Sequence, residues 1–327
     1  MGKKLSLLLC IVLLVALVVG AYLYSRQVES ETILNAGTAQ NAAQKAISLT
    51  YNGTEYPMKK HLQTVLLIGT DSTEQYQEKT EGDKNYYNYH QADFLMLLVL
   101  DNDGKTAEIL HMNRDTMMDV PWLDVLGKVG GTEYKQLCLA FNYGDGGAAS
   151  CKNTLNAVSS LLFDAPIDYY IQIPITAIPV LNDLVGGVPV TIAEDMTMVD
   201  PDFVQGATVR LSGSQAEKYV RARKGLEDDT NISRMRRQRE YLDSFQKCAR
   251  DKFNSDSEFA LRLVEKLGSY MQSNMTGQQL SDLIEKLDTY HINPIRYPEG
   301  ELIVGQKYYE FYVDQDSLWE IVKGAYC

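Results

Sequence analysis

The chain has 327 residues, of which 45% are hydrophobic, and a formal net charge of -12 at pH 7. This length supplies enough apolar surface for one large folded domain or two small ones. The acidic balance excludes nucleic acid as a general partner, because most of the surface would repel a phosphate backbone. Four scattered histidines and the lack of a Cys-x-x-Cys pair give no zinc-binding motif.

Residues 1–24 predict a cytoplasmic tip and a transmembrane anchor. Lys3 and Lys4 precede an uncharged apolar run from Leu5 to Tyr24, which as a helix is about 30 Å long and spans a bilayer. The lysines place the N-terminus in the cytoplasm and the rest of the chain outside the cell. A cleaved signal peptide is the alternative. The run is long for that, so a single-pass anchor in the cell membrane is favoured.

The remainder divides into three parts. Residues 25–60 are polar and rich in Ala, Asn and Gln, which predicts an extracellular stalk. Residues 61–255 alternate strand-like and helical patterns, which predicts an α/β domain with a central mixed β-sheet flanked by helices. Within it, the turn Asp101-Asn102-Asp103-Gly104 predicts an antiparallel hairpin. Residues 256–327 predict helices and short closing strands packed on the same domain.

Four cysteines lie in the part that is expected outside the membrane, where disulfides form. They are Cys138, Cys151, Cys248 and Cys327, and they allow three complete pairings. Cys138 with Cys151 closes the shortest loop and is the preferred pair.

Three aspartates lie at the ends of predicted strands. Asp71 closely follows the apolar run 64–69, Asp93 immediately precedes the run 94–100, and Asp115 follows the next strand. Antiparallel neighbours would bring Asp71 and Asp93 to one edge of the sheet, although each residue alone would more often be a turn or cap residue. Two carboxylates beside a cluster of arginines can hold Mg²⁺, which takes its other ligands from water and phosphate.

Residues 219–238 form a basic stretch within the acidic chain. Its cations are Arg221, Arg223, Lys224, Arg234, Arg236 and Arg237. On a helix, Arg234, Arg237 and Gln238 share one face. Guanidinium groups match phosphate oxygens in pairs, so the cluster indicates a polyanionic ligand. The alternative is a solvated basic face that pairs with nearby acids.

Nine short motifs follow one another along the chain. They are LLIGTDS (66–72), ADFLML (92–97), MNRDT (112–116), AFNYG (140–144), PIDYY (166–170), LVGGV (184–188), LSGSQA (211–216), YVRAR (219–223) and RMRRQ (234–238). In this order they resemble the LytR-CpsA-Psr family of membrane-anchored cell-wall enzymes, from about Leu62 to Asp251.

The resemblance implies a phosphotransferase. Such an enzyme moves a glycopolymer, for example teichoic acid or capsular polysaccharide, from a polyprenyl-pyrophosphate carrier to a peptidoglycan hydroxyl and releases polyprenyl phosphate. By the family pattern, Asp71 and Asp93 would hold Mg²⁺, and a groove between sheet and helices would take the lipid tail. The expected pyrophosphate contacts are Arg114, Arg221, Arg223, Arg234, Arg237 and Gln238, and the expected catalytic residues are Asp93, Arg114, Asp115 and Arg234.

Four positions depart from the family pattern. Gln91 replaces an arginine, Gln136 a lysine, Cys138 an asparagine and Asn231 an acid. The transferase remains the leading interpretation, and these changes leave two alternatives open. One is a catalytically weak or non-catalytic protein that binds polyprenyl pyrophosphate or an anionic wall polymer. The other is a pyrophosphate hydrolase.

Overall fold

The computed structural model describes residues 48–72, 87–124, 126–222, 226, 230–256, 259, 262–263, 266, 268, 270–305 and 308–327. Its strands are β1 Ser48–Tyr51, β2 Thr54–Pro57, β3 Leu62–Thr70, β4 Ala92–Asp101, β5 Thr106–Met112, β6 Met117–Leu123, β7 Val129–Gln136, β8 Tyr169–Pro174, β9 Val188–Thr191, β10 Thr208–Leu211, β11 Gln272–Ser273, β12 His291–Ile292, β13 Gly300–Val304 and β14 Tyr309–Val313. Its α-helices are α1 Ala148–Leu161, α2 Ala177–Leu184, α3 Gly213–Arg221, α4 Asn231–Ser255, α5 Gly277–Thr289 and α6 Gln315–Tyr326.

A six-stranded sheet in the order β11, β8, β3, β4, β5, β12 forms the centre of the protein. Strand β4 is antiparallel to β3 and β5, whereas the pairs β3–β8 and β5–β12 are parallel. The predicted central mixed sheet is therefore confirmed. The predicted hairpin is also present, because Asp101 pairs with Thr106 and Leu95 with Met112.

Both faces of the sheet are buried, which explains the continuous apolar runs in its strands. Successive side chains of a strand point to opposite faces. Leu66 and Ile68 of β3 therefore pack in the cluster that includes α1 and α6, whereas Val65 and Leu67 pack in the cluster that includes α5. Helices thus cover both sides of the sheet.

Helices α2, α3 and α4 and the β9–β10 hairpin share a third apolar cluster. Helix α3 begins after Ser212, which forms a capping box with Gln215. Thr230 caps α4 by accepting a hydrogen bond from the Ser233 N–H. These caps fix the starts of the two helices that carry the basic stretch, with the connection between them mostly outside the described residues.

The folded part of the chain begins earlier than residue 61. The β1–β2 hairpin falls within the predicted stalk, yet Leu49 is only 2% exposed and packs in the apolar cluster of α1 and α6. Tyr51 stacks on Trp319 of α6, with ring centroids 4.8 Å apart. The upper bound of the stalk is corrected to before Ser48, since these apolar side chains need the core to cover them.

The predicted anchor, residues 1–24, and the lower stalk, residues 25–47, lie outside the described residues. In the ranges that the structure does describe, no helix combines the length and the apolar character needed to cross a bilayer.

All four cysteines of the described chain are free thiols, which contradicts the preferred Cys138–Cys151 disulfide. The Cys138 sulfur instead lies 2.9 Å from Nη2 of Arg114. Cys151 is buried in α1, within the apolar cluster.

Candidate active site

Three predicted carboxylates meet at one edge of the sheet. The end of β3 pairs with the start of β4, with Thr70 opposite Ala92, so Asp71 and Asp93 are neighbours. The Gln91 N–H donates to Asp71 Oδ1 at 2.7 Å and fixes that carboxylate. Asp115 joins them because β5 ends beside the start of β4.

Asp93 lies between two arginines. Its Oδ1 accepts a hydrogen bond from Nη1 of Arg114, and its Oδ2 lies 3.4 Å from Nη1 of Arg234. Arg114 Nε lies 3.3 Å from Asp115 Oδ1. The two arginine side chains are only 11% and 6% exposed, so these charge-assisted contacts are largely shielded from solvent. The structure thus brings together all four predicted catalytic residues.

Two of the family departures contact Arg114. Gln91 Oε1 accepts a hydrogen bond from Arg114 Nη2, and the same nitrogen contacts the Cys138 sulfur. Burial raises the pKa of the Cys138 thiol, although the adjacent guanidinium acts in the opposite direction. Arg114 is therefore held by a neutral amide and a neutral thiol on this side.

A third departure, Asn231, holds Arg234. Its Oδ1 accepts from Arg234 Nε at 3.0 Å and from Nη2 at 2.5 Å. Its Nδ2 donates to Asn113 Oδ1 at 2.6 Å, and that oxygen also accepts from the Asp115 N–H. The amide can make both contacts, whereas a carboxylate at residue 231 would oppose the Asn113 oxygen.

The fourth departure, Gln136, connects the site to the C-terminal hairpin. Its Nε2 donates to Asp115 Oδ1 at 3.1 Å and to the Tyr309 C=O at 2.7 Å. All four departures therefore lie in one hydrogen-bonded network around the predicted catalytic residues.

An apolar cavity of about 130 Å³ lies between the sheet and helices α2 and α4. Its walls include Phe94, Ile173, Ile178, Tyr241 and Phe245. At its charged end are Asp71, Asp93, Arg221 and Gln238.

A larger polar groove, of about 1290 Å³, meets this cavity at Asp71, Asp93 and Arg221. Arg114 and Arg234 also line the groove. An apolar space and a polar space therefore open on opposite sides of one charged centre.

The members of the basic stretch have different positions. The Arg221 side chain is 48% exposed at the mouth of both cavities and pairs with Glu217 at 2.8 Å. Gln238 lines the apolar cavity, and its Nε2 lies 3.4 Å from the Val220 C=O. Arg223 lies outside the described residues.

Arg237 does not line either cavity, in contrast to its predicted role as a pyrophosphate contact. It is 1% exposed, and its Nη1 donates to Glu194 Oε1 at 2.7 Å. Burial lowers the pKa of Arg237, while Glu194 acts in the opposite direction. A buried guanidinium requires a charged or hydrogen-bonding partner, and Glu194 draws this side chain away from its helical neighbour Arg234.

The donor set fits a magnesium ion. Asp71 and Asp93 face the same space, and Mg²⁺ commonly takes only one or two carboxylates from a protein. Among the described residues, no group of three or more His, Cys, Asp or Glu side chains is arranged to hold a metal. Arg114 and Arg234 are already paired here, both with Asp93 and Arg114 also with Asp115. A diphosphate would add further negative charge, so an additional cation would favour its binding.

His111, the one histidine on a core strand of the sheet, is not suited to proton transfer. It is 1% exposed, and its ring centroid lies 4.8 Å from that of Phe94. Burial, together with Arg239 and Arg234, lowers its pKa to about 3. It is therefore a neutral core residue at neutral pH.

The sequence did not indicate two hairpins that line the groove. The β6–β7 hairpin supplies Tyr134 and Lys135, and the β13–β14 hairpin supplies Tyr309 and its neighbours. One signal for the first hairpin is the pair Gly130-Gly131, since a Cβ at Gly130 would lie 2.3 Å from the Trp122 ring. Glycines at this position allow an aromatic side chain to cover the opposite strand.

The sequence and the fold are similar to those of known proteins. A model of the LytR_cpsA_psr family matches residues 19–324. The polyisoprenyl-teichoic acid–peptidoglycan teichoic acid transferase TagU of Bacillus licheniformis is 25% identical over 79% of this chain and 75% of its own. The corresponding transferase TagV of Bacillus subtilis is 24% identical over 98% of this chain and 77% of its own.

Solved structures share the fold. TagT of B. subtilis is 22% identical and has a TM-score of 0.57, over 86% of this chain and 96% of its own. A structure described as TagT bound to LI-WTA is also 22% identical, with a TM-score of 0.59 over 86% of this chain and 95% of its own. Because the family model spans nearly the whole sequence, the chain belongs to the LytR_cpsA_psr family.

Proposed function

We propose that this protein transfers a glycopolymer from a polyprenyl-diphosphate carrier to a hydroxyl of peptidoglycan and releases polyprenyl phosphate. The observation that carries the proposal is the meeting of an apolar cavity and a polar groove at Asp71, Asp93 and Arg221. The carrier has an apolar tail, a double anion and polar sugars in the same order. The similar proteins TagU and TagV are named as teichoic acid transferases, so teichoic acid is the first polymer to test.

The arginines are suited to hold the diphosphate. Arg114 and Arg234 each direct a guanidinium nitrogen at Asp93, beside the groove. When the substrate binds, we expect these groups to exchange Asp93 for phosphate oxygens, which they can bind in pairs. Asp115 would orient Arg114 through the contact with Nε. Arg221, which lies at the mouth of both cavities, would close that mouth from the solvent side.

Asp71 and Asp93 would hold Mg²⁺ beside the diphosphate. The ion would supply positive charge against the leaving phosphate. In the transfer, the acceptor oxygen bonds to the phosphorus that carries the polymer. The bond from that phosphorus to the bridging oxygen breaks, and polyprenyl phosphate leaves with the electron pair. The acceptor hydroxyl loses its proton in the same step, and the proton passes to the leaving phosphate or to solvent.

We also propose that residues 1–24 anchor the protein in the cell membrane, with the N-terminus in the cytoplasm and the domain outside. The support is the uncharged run from Leu5 to Tyr24 after two lysines. Anchoring would place the site beside a substrate that is itself held in the membrane, and so raise its effective concentration.

Release of polyprenyl phosphate by the purified full-length protein tests the proposal. The assay supplies Mg²⁺, a polyprenyl-diphosphate glycopolymer and peptidoglycan. We expect Asp93→Asn and Arg234→Lys each to lower the rate at least about 100-fold, since the first removes a carboxylate that would hold Mg²⁺ and the second removes the guanidinium fork that would hold phosphate oxygens in pairs. Asp282→Asn is the control, because Asp282 lies on the exposed face of α5 and contacts Gln278.

Two outcomes would contradict the proposal. Full activity of Asp93→Asn and Arg234→Lys would exclude the assigned roles. Equal release of polyprenyl phosphate with and without peptidoglycan, and no polymer on the peptidoglycan, would identify a hydrolase instead.

A further inference from the structure

Five tyrosine side chains are among the residues that line the polar groove. Tyr87, Tyr89, Tyr134, Tyr308 and Tyr309, which we call the tyrosine wall, come from three segments that are far apart in the chain. The exposed fractions of Tyr89, Tyr134 and Tyr308 are 84%, 57% and 67%. Grouped exposed aromatic side chains on one surface mark a binding site more often than chance.

The tyrosine wall is fixed relative to the charged centre. Gln136 joins the Tyr309 backbone to Asp115, and the Phe311 N–H donates to the Asp115 C=O at 2.9 Å. On the other side, the Tyr87 ring packs edge-on against Tyr89, with centroids 5.7 Å apart. A ligand on these rings would therefore have a defined position relative to Asp115 and its neighbours.

The charges beside the tyrosine wall do not suit a polyanion. Lys135 is paired with Glu133 and contacts the Tyr143 hydroxyl at 2.9 Å. Lys218 is paired with Asp200 at 2.8 Å. Glu310 adds a carboxylate to the groove. These cations are already neutralised, so a chain of phosphates gains little there.

An uncharged sugar chain suits this surface better. One face of a pyranose ring presents C–H groups that pack on an aromatic ring, and its hydroxyls can bond to the phenol oxygens at the edge. Rings that come from three segments can contact successive sugars of one strand.

We propose that the tyrosine wall binds the uncharged sugar backbone of the peptidoglycan strand that accepts the polymer. The identification of this strand as acceptor rests on the proposed transfer reaction, which assigns the neighbouring arginines to the donor diphosphate. Binding along the wall would bring a sugar hydroxyl to the phosphorus beside Asp93. Gln136 acts as a positioning residue, since it ties the C-terminal hairpin to Asp115.

Binding of soluble peptidoglycan glycan strands to the full-length protein in detergent tests this proposal without turnover. The strands are freed of peptides, and the lactyl carboxylates left behind are converted to neutral amides so that the backbone is uncharged. We expect the double variant Tyr89→Ala and Tyr308→Ala to weaken binding at least about tenfold. The double variant Tyr89→Phe and Tyr308→Phe should keep most of the affinity because it keeps the rings. Tyr297→Ala is the control, since Tyr297 is 54% exposed but lies outside the groove.

Two further probes separate binding of the acceptor sugars from binding of the donor. Poly(glycerol phosphate) without lipid represents a polyanionic donor polymer, and polyprenyl diphosphate represents the lipid end of the donor. The proposal is overturned if wild-type protein does not bind glycan strands, if the alanine variant binds them as tightly as wild type, or if that variant loses poly(glycerol phosphate) by the same factor. Loss of glycan binding in the alanine variant supports sugar binding by the tyrosine wall, whether or not polyprenyl diphosphate binds. Failure of polyprenyl diphosphate to bind would count against the proposed transfer reaction alone.

Discussion

At the scale of residues, the arginines of the charged centre are already paired with carboxylates. Arg114 and Arg234 both contact Asp93, and Arg114 also contacts Asp115. Arg221 pairs with Glu217. Gln91 contributes only a neutral acceptor to Arg114. The binding of a diphosphate should therefore depend strongly on Mg²⁺.

Gln91→Arg tests this dependence. An added guanidinium beside Arg114 supplies one of the charges that the ion otherwise provides. We expect the Mg²⁺ concentration at half-maximal binding of polyprenyl diphosphate to fall about fivefold, which corresponds to roughly 1 kcal/mol. Titration of Mg²⁺ at a fixed concentration of polyprenyl diphosphate measures this midpoint.

Gln91→Met is the matched control, because it removes the contact with Arg114 without adding charge. An Mg²⁺ midpoint that is the same in Gln91→Arg and wild type would show that charge at this position does not limit diphosphate binding.

Single residues could be predicted where strand pairing decides their positions. Asp71 and Asp93 were expected to meet, and they do, because the end of β3 lies beside the start of β4. Arg237 could not be assigned, because its partner Glu194 is distant in the chain and only the tertiary fold brings the two together. The predicted Cys138–Cys151 disulfide was wrong for a similar reason, since the tertiary fold places Arg114 against the Cys138 sulfur.

At the scale of elements, the contact of β3 with β4 shapes the apolar cavity. Gly69 pairs with Phe94, and a Cβ added at Gly69 would lie 2.8 Å from the Phe94 Cβ. Both residues line the cavity. The absence of a side chain at Gly69 therefore allows Phe94 to form part of the wall.

Gly69→Ala should force the two strands apart or displace Phe94. We expect a loss of about 1–3 kcal/mol in the free energy of unfolding, the usual effect of overpacking, and weaker binding of polyprenyl diphosphate. Denaturant titration of the full-length protein measures the stability.

Gly104→Ala is the control for this substitution. Its Cβ would approach only the Asp101 carboxylate, at 3.0 Å, in the exposed turn between β4 and β5. Equal stability losses for Gly69→Ala and Gly104→Ala would contradict the account of the strand contact.

Elements with strong apolar patterns were predictable. The runs in β3 and β4 and the serine cap of α3 have local signals that the fold preserves. The β6–β7 hairpin has a largely exposed second strand with two glycines, so it has little alternation to detect. The β1–β2 hairpin was mistaken for a stalk because its sequence is short and polar, and its apolar residues are covered by parts that are distant in the chain, such as Phe163 and helix α6.

At the scale of the whole molecule, the central claim is that separate parts of the chain converge on one ligand. The sheet supplies the carboxylates, α4 supplies Arg234, and α2 and α4 supply apolar walls such as Ile178 and Phe245. No one of these parts could bind a lipid diphosphate by itself. We therefore propose that the cavity and the charged centre bind the same molecule.

The affinity of the full-length protein for polyprenyl diphosphate, measured by calorimetry with Mg²⁺, tests this claim most directly. The ligand should bind far more tightly than either polyprenol or inorganic diphosphate. Ile178→Trp, which fills the apolar cavity, and Arg234→Lys, which removes the guanidinium fork, should each weaken binding at least about tenfold. Unchanged affinity in Ile178→Trp, or equal affinity for polyprenol and polyprenyl diphosphate, would contradict the claim.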